Sequence, residues 1–160
     1  MYSHIRATAA LAASLVGTIG CHDDQRAWQA RLDAARPLAG TWHVELIAES
    51  TDSAAGRHTD GELALTLNEE HLGSPDLFGT YDVSFTPLGF TVFPSAGVPS
   101  IAATVAGDSI TLVLAPGSQL PITMRGVRHG DSILGRWSAH QRAGSDALGT
   151  FVLTHAVVAP

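Results

Sequence analysis

Eight histidines offer the most obvious chemistry in this 160-residue chain, because imidazole ligates metals and moves protons near neutral pH. Their spacing offers little. No pair forms His-x-His, and His-Glu-x-x-His does not occur, so no short segment presents two imidazoles to one ion. His43 and His155 would become neighbours only if the first and last strands of the fold paired. The single cysteine, Cys21, excludes an internal disulfide framework and a cysteine-based zinc site. Adjacent carboxylates occur at Asp23-Asp24 and Glu69-Glu70. The first pair suits a helix cap and the second a polar turn, and neither specifies the opposed carboxyls of glycoside hydrolysis. No phosphate loop and no Ser/His/Asp set stands out. The expectation is a protein without metal, cofactor or enzymatic activity.

One repeated motif needs separate treatment. Gly-Asp-Ser-Ile occurs at residues 107–110 and again at 130–133. It resembles the Gly-Asp-Ser-Leu box of a serine-esterase family, whose serine sits at a strand-to-helix turn of an α/β fold. Here both copies are flanked by strand patterns, so a repeated hairpin turn explains them instead.

Composition narrows the class. Hydrophobic residues make up 45% and charged residues 15%, enough apolar surface for a core and too little charge for a disordered acidic tail. A net charge of -6, from 15 acidic residues against 9 Arg and no Lys, argues against binding nucleic acid, which requires a basic face.

The N-terminus reads as an export signal. His4 and Arg6 precede an uncharged run of small and apolar residues from Ala7 to Gly20. As a helix that run would span roughly 21 Å, short of the ~30 Å hydrocarbon core. It is therefore a signal h-region rather than a transmembrane helix. The run ends Gly17-Thr18-Ile19-Gly20-Cys21, which resembles the lipobox of bacterial lipoproteins, with Thr18 where leucine is usual. The resemblance implies cleavage after Gly20 and a diacylglycerol thioether on Cys21, anchoring the chain to a membrane surface. Position 22 is His rather than Asp, so the family's usual inner-membrane retention signal is missing. The expected address is the bacterial cell envelope, at the outer membrane if one is present. The mature chain is too acidic to hold anionic lipid by charge, so the acyl group must do so.

Residues 21–37 read as a lipid-anchored helix or tether. Trp28, Leu32 and Ala35 follow the spacing of one helical face, and Pro37 stops it. From residue 38 to 160 the period changes to two. Trp42, Val44 and Leu46 alternate with His43 and Glu45, and similar runs occur at 63–67, 81–85 and 110–114. Further strands are expected at 101–106, 119–127, 132–139 and 150–156. About eight half-buried strands, with no helix to join parallel neighbours, predict an all-β antiparallel domain.

Gly40-Thr41-Trp42, Gly79-Thr80-Tyr81, Gly135-Arg136-Trp137 and Gly149-Thr150-Phe151 repeat a Gly-x-aromatic unit. Glycine weakens a strand unless something must approach its backbone closely. An aromatic two residues on shares the glycine's face, so the repeat suggests small and large side chains alternating inside a tightly closed sheet. The pattern resembles calycin-type barrels: lipocalins, avidin-like barrels and bacterial lipocalin-like domains. Leu38 to Trp42 looks like their first-strand Gly-x-Trp. The family's Thr-Asp-Tyr motif has no counterpart; Thr80-Tyr81-Asp82 holds those residues in another order. The resemblance implies an antiparallel up-and-down β-barrel of about eight strands, the alternative being a flattened β-sandwich. It also implies that Trp42 packs across the closed end under an arginine, Arg136 or Arg142.

Residues 86–99 are rich in proline and glycine yet apolar at Leu88, Phe90, Val92, Phe93 and Val98. Phe90 and Val92 could continue a strand. The segment is either tucked over a barrel mouth or exposed to a partner. The candidate ligand-binding residues are thus Trp42, Tyr81, Phe90, Phe93, Trp137 and Phe151. The expected function is non-enzymatic binding of a small apolar ligand or lipid. The alternative is an envelope interaction module, such as a protease inhibitor or assembly factor.

Overall fold

The period-two runs form one antiparallel sheet that closes on itself. The computed structural model describes residues 19–49, 57–70, 75–92, 97–118, 120–140 and 146–156, with side chains from residue 23 onward. Eight strands follow one another around a barrel: β1 (Gly40–Glu49), β2 (His58–Leu67), β3 (Leu77–Val83), β4 (Ile101–Ala106), β5 (Ser109–Leu114), β6 (Ile122–His129), β7 (Ser132–Ala139) and β8 (Ala147–His155). Each strand pairs with the next and β8 pairs back onto β1, so the sheet is an up-and-down barrel and not a two-sheet sandwich. Closure removes the exposed strand edges that an open sheet would have to protect.

The hairpin expectation holds. Gly107-Asp108 joins β4 to β5, and Gly130-Asp131 joins β6 to β7. Both glycines have positive φ, at 60° and 62°, while neither aspartate does, the pattern of a type II′ turn with Gly at its first central position. Ser109 and Ser132 therefore open strands, and neither sits on the strand-to-helix elbow that an esterase serine needs.

Inside, the Gly-x-aromatic units interlock. Across β7 and β8, Gly135 lies opposite Phe151 and Trp137 lies opposite Gly149, a crossed pair of small and large residues. Gly126 on β6 faces Gly135, so two glycines make room for the Phe151 ring. A Cβ on Gly149 would come within 2.4 Å of the Trp137 indole and 2.0 Å of the Ile47 carbonyl oxygen. Trp42, Trp137, Phe151, Leu46, Leu63 and Leu112 are all fully buried and fill the bore. An eight-stranded barrel is about wide enough for such a filling.

One end of the barrel is covered by helix α1 (Ile19–Ala35). Leu32 and Ala35 are buried and Trp28 is half-buried, the face expected from their spacing. A 3-10 turn at Arg36–Leu38, carrying Pro37, ends the helix and delivers Leu38 to the core. The Leu38 carbonyl accepts a 2.9 Å hydrogen bond from the Trp42 indole N–H. Asp76 is a further tie. It is 3% exposed, its Oδ2 accepts the Val105 backbone N–H at 2.8 Å, and Arg31 of α1 approaches its Oδ1 at 3.6 Å. Residues 1–18 and the side chain of Cys21 lie outside the described residues; the Cys21 backbone belongs to α1. Among the described residues no helix is long and apolar enough to cross a membrane.

Of the two arginines expected over Trp42, Arg136 is not there. Arg136 lies between inward-facing Gly135 and Trp137, so strand alternation turns it outward, where it pairs with Glu49. Arg142 lies outside the described residues. The ring against Trp42 is His155, directly opposite in register, with centroids 4.5 Å apart. The pairing of β1 with β8 thus places His155 on Trp42 and puts His43 opposite Thr154.

Candidate site at the open barrel mouth

The end opposite α1 gathers aromatic rings. Tyr81 points inward near the end of β3, and Phe85, four residues on, meets it edge-on at 5.9 Å between ring centroids. Phe85 stacks on Phe90 at 5.6 Å, and Phe90 reaches Trp137 across the barrel at 5.8 Å. The expected continuation of a strand through Phe90 and Val92 does not form. Thr86–Leu88 makes a 3-10 turn, with Pro87 at its start and Gly89 in the left-handed region at φ 93° after it. Proline lacks the N–H a ladder needs, and the positive φ reverses the chain, so Leu88 and Phe90 turn back onto the core. Of the segment 86–99, the tucked reading therefore holds at Leu88 and Phe90, with Val92 half-buried, whereas Val98 is exposed. The Ser84 carbonyl, which accepts the Thr59 hydroxyl at 2.7 Å, pins the start of this segment to β2.

This segment crosses a weak seam. β3 and β4 are matched at three positions, Leu77–Ala103, Phe78–Ala102 and Gly79–Ile101, whereas every other neighbouring pair is matched at six or more. Beyond Gly79, no strand among the described residues pairs with β3 on that side. A cavity of about 280 Å³ opens there, between residues 81–86 and Thr91, Val92 and Pro99. The Tyr81 hydroxyl is buried and has no hydrogen-bond partner among the described residues. Burial raises the phenol's pKa above its ordinary value, so it stays a neutral donor.

No protein-family model matches the chain, and no curated protein matches it significantly. The site therefore rests on its geometry.

Of the six candidate ligand-binding residues, the structure brings Tyr81, Phe90 and Trp137 together around Phe85. Phe151 lies deeper, against Gly135, as part of the bore. Trp42 sits at the covered end with Leu38 and His155 and belongs to that packing. Phe93 lies outside the described residues. Phe85 and Val92 join the site beyond those six. The Tyr81-Val83-Phe85 alternation already marks Phe85 as inward-facing, but only the turn at 86–88 carries it under Phe90.

Two other depressions compete. A groove of about 610 Å³ on the outer face runs past Arg125, Arg136, Val127, Leu134 and Leu148. It is larger and lies on the outer face of the sheet, where Arg125, Val127, Leu134, Arg136 and Leu148 are exposed. The other, about 290 Å³, lies where Ala34 and Pro37 meet the Gly107-Asp108 hairpin. Among the described residues no cluster of His, Cys, Asp and Glu could hold a metal ion.

Proposed function

We propose that this protein is a lipid-anchored envelope protein that binds a small apolar ligand at the open mouth of its barrel. The observation that carries the reading is the cavity at the β3–β4 seam, lined by Tyr81, Phe85, Val92 and Pro99 together with Asp82, Ser84, Thr86 and Thr91, whose Phe85 also stacks on Phe90. Phe85, Val92 and Pro99 offer apolar contact and Ser84, Thr86 and Thr91 offer polar groups, a mixed wall of the kind that binds and orients a small molecule. The likeness to calycin-type barrels, which carry small ligands at such mouths, agrees with it.

Val92→Trp tests the site. The indole should fill the cavity at little cost in stability, because Val92 is only half-buried. Native mass spectrometry of the chain purified from its own envelope should find an apolar molecule at near one-to-one ratio on the wild type and none on the variant. The same molecule on both would move the ligand elsewhere.

The anchor is a separate part of the proposal, supported by the lipobox-like run ending at Cys21. Cys21→Ser should release the protein from the membrane fraction. A variant that fractionates like wild type would end that part of the reading.

A second reading, an interaction module, draws on the outer face. Val127 and Leu134 face each other across β6 and β7 and are 43% and 46% exposed, with Leu148 nearby. An empty mouth together with a co-purifying protein would transfer the function to that face.

A further inference from the structure

The charges of the barrel are sorted by strand. Every Asp and Glu on a strand lies on β1, β2 or β3: Glu45, Glu49, Asp60, Glu62 and Asp82. Every Arg on a strand lies on β6 or β7: Arg125, Arg128 and Arg136. β4, β5 and β8 carry neither. A chain of net charge -6 thus keeps one cationic face.

On that face Arg125 and Arg136 lie directly opposite each other across β6 and β7, both exposed. Like charges in opposed positions destabilise a sheet. Arg136 has Glu49 as a counter-ion, whereas among the described residues no carboxylate reaches Arg125. An anion seated between the two guanidiniums would relieve the repulsion. Two forked donors side by side match the several oxygens of a phosphate. Thr111, opposite Arg125 on β5, lines the same groove and adds a hydroxyl.

The arginines have apolar neighbours on both flanks. Val127 and Leu134, themselves opposed, follow on one side, and Leu148 lies on the other; each is between 43% and 46% exposed. Inorganic phosphate would leave these side chains in water. An apolar body joined to the phosphate would cover them, and the groove, at about 610 Å³, has room for both parts. We infer that the outer face of β6 and β7 binds an amphipathic phosphate ester, with its phosphate between Arg125 and Arg136 and its apolar body over Val127 and Leu134 or over Leu148. The site is on the outside of the sheet and stands whether or not the mouth binds a ligand.

The test is calorimetric titration of the full chain with octyl phosphate, inorganic phosphate and 1-octanol. Octyl phosphate should bind more tightly than either of the others, and added salt should weaken it. Arg125→Gln should weaken it about fivefold, the upper range for one exposed ion pair. Glu49→Gln, which frees Arg136 from a competing carboxylate, should tighten it. Both positions are exposed, so neither substitution endangers the fold. Equal affinity of octyl phosphate for wild type and Arg125→Gln would overturn the inference. Octanol or inorganic phosphate binding as tightly as octyl phosphate would also overturn it, since one half of the ligand would then go unread. Loss of octyl phosphate binding in Val92→Trp would place the ester in the mouth and overturn it as well. Vesicles distinguish the source of the ester. Excess binding of wild type to phosphatidylglycerol over phosphatidylcholine vesicles, lost in Arg125→Gln, would support a lipid head group. Octyl phosphate binding without that excess would support a soluble phosphate ester.

Discussion

Gly135→Ala is expected to destabilise the barrel by about 3 kcal/mol, a fall in melting temperature of roughly 10 °C for a domain of this size. A Cβ at this position would lie 2.1 Å from the Arg125 carbonyl oxygen and 2.7 Å from the Phe151 ring. The first contact is with the backbone of the neighbouring strand, which can yield only by parting β6 from β7. Phe151→Leu in the same chain should therefore fail to rescue it. Gly126→Ala gives the contrast. Its closest contacts lie at 2.8 Å, one of them the far end of the Phe151 ring, so its cost should be smaller and Phe151→Leu should recover part of it. Urea denaturation of the purified chains measures all four. A Gly135→Ala protein within about 1 kcal/mol of wild type would mean that the β6 backbone does not press on Gly135 as closely as this.

Trp137→Ala should cost about 3–5 kcal/mol, the usual range for emptying a large aromatic site in a packed core. Its second consequence is local. Phe90 meets Trp137 at 5.8 Å, and that contact ties residues 85–92 to the far wall of the barrel. The Leu88 and Gly89 amides, which donate to the Phe85 and Thr86 carbonyls at 3.0 Å, report on the segment through hydrogen exchange. Trp137→Ala should speed their exchange beyond what the global loss of stability accounts for. Trp42→Ala is the control. It removes an equally buried indole at the covered end, with a similar global cost, and should leave the local opening of 85–92 unchanged. Equal acceleration in both variants would show that the Phe90–Trp137 contact is not what holds the segment down.

The ligand-binding proposal separates from these stability effects by design. Val92→Trp fills the cavity without emptying the core. Loss of ligand in a chain that melts like wild type therefore reads on the site and not on the fold.

Much of the architecture was legible because a strand's side-chain period is local. Alternation in Trp42–Leu46, Leu63–Leu67, Tyr81–Phe85 and Ile110–Leu114 needs no knowledge of neighbours to show which face is buried. The two Gly-Asp turns and the Gly-x-aromatic repeat were readable for the same reason, since a turn's φ and a glycine's missing Cβ are properties of a few consecutive residues. Which ring meets which glycine was not readable. Phe151 finds Gly135, and Trp137 finds Gly149, through the register of β7 on β8. His155 meets Trp42 because β8 returns to β1 at that register, and alternation sends Arg136, one of the two arginines expected there, to solvent. Asp76 carries no motif, and only the approach of α1 to the barrel end gives it Arg31. The mouth follows the same division. Apolar residues among prolines and glycines marked residues 86–99 as unusual. The short β3–β4 pairing, the cavity beside it and the unpartnered Tyr81 hydroxyl come from where closure of the eighth strand leaves the third and fourth, because contacts between distant residues are set by packing and not by sequence neighbours.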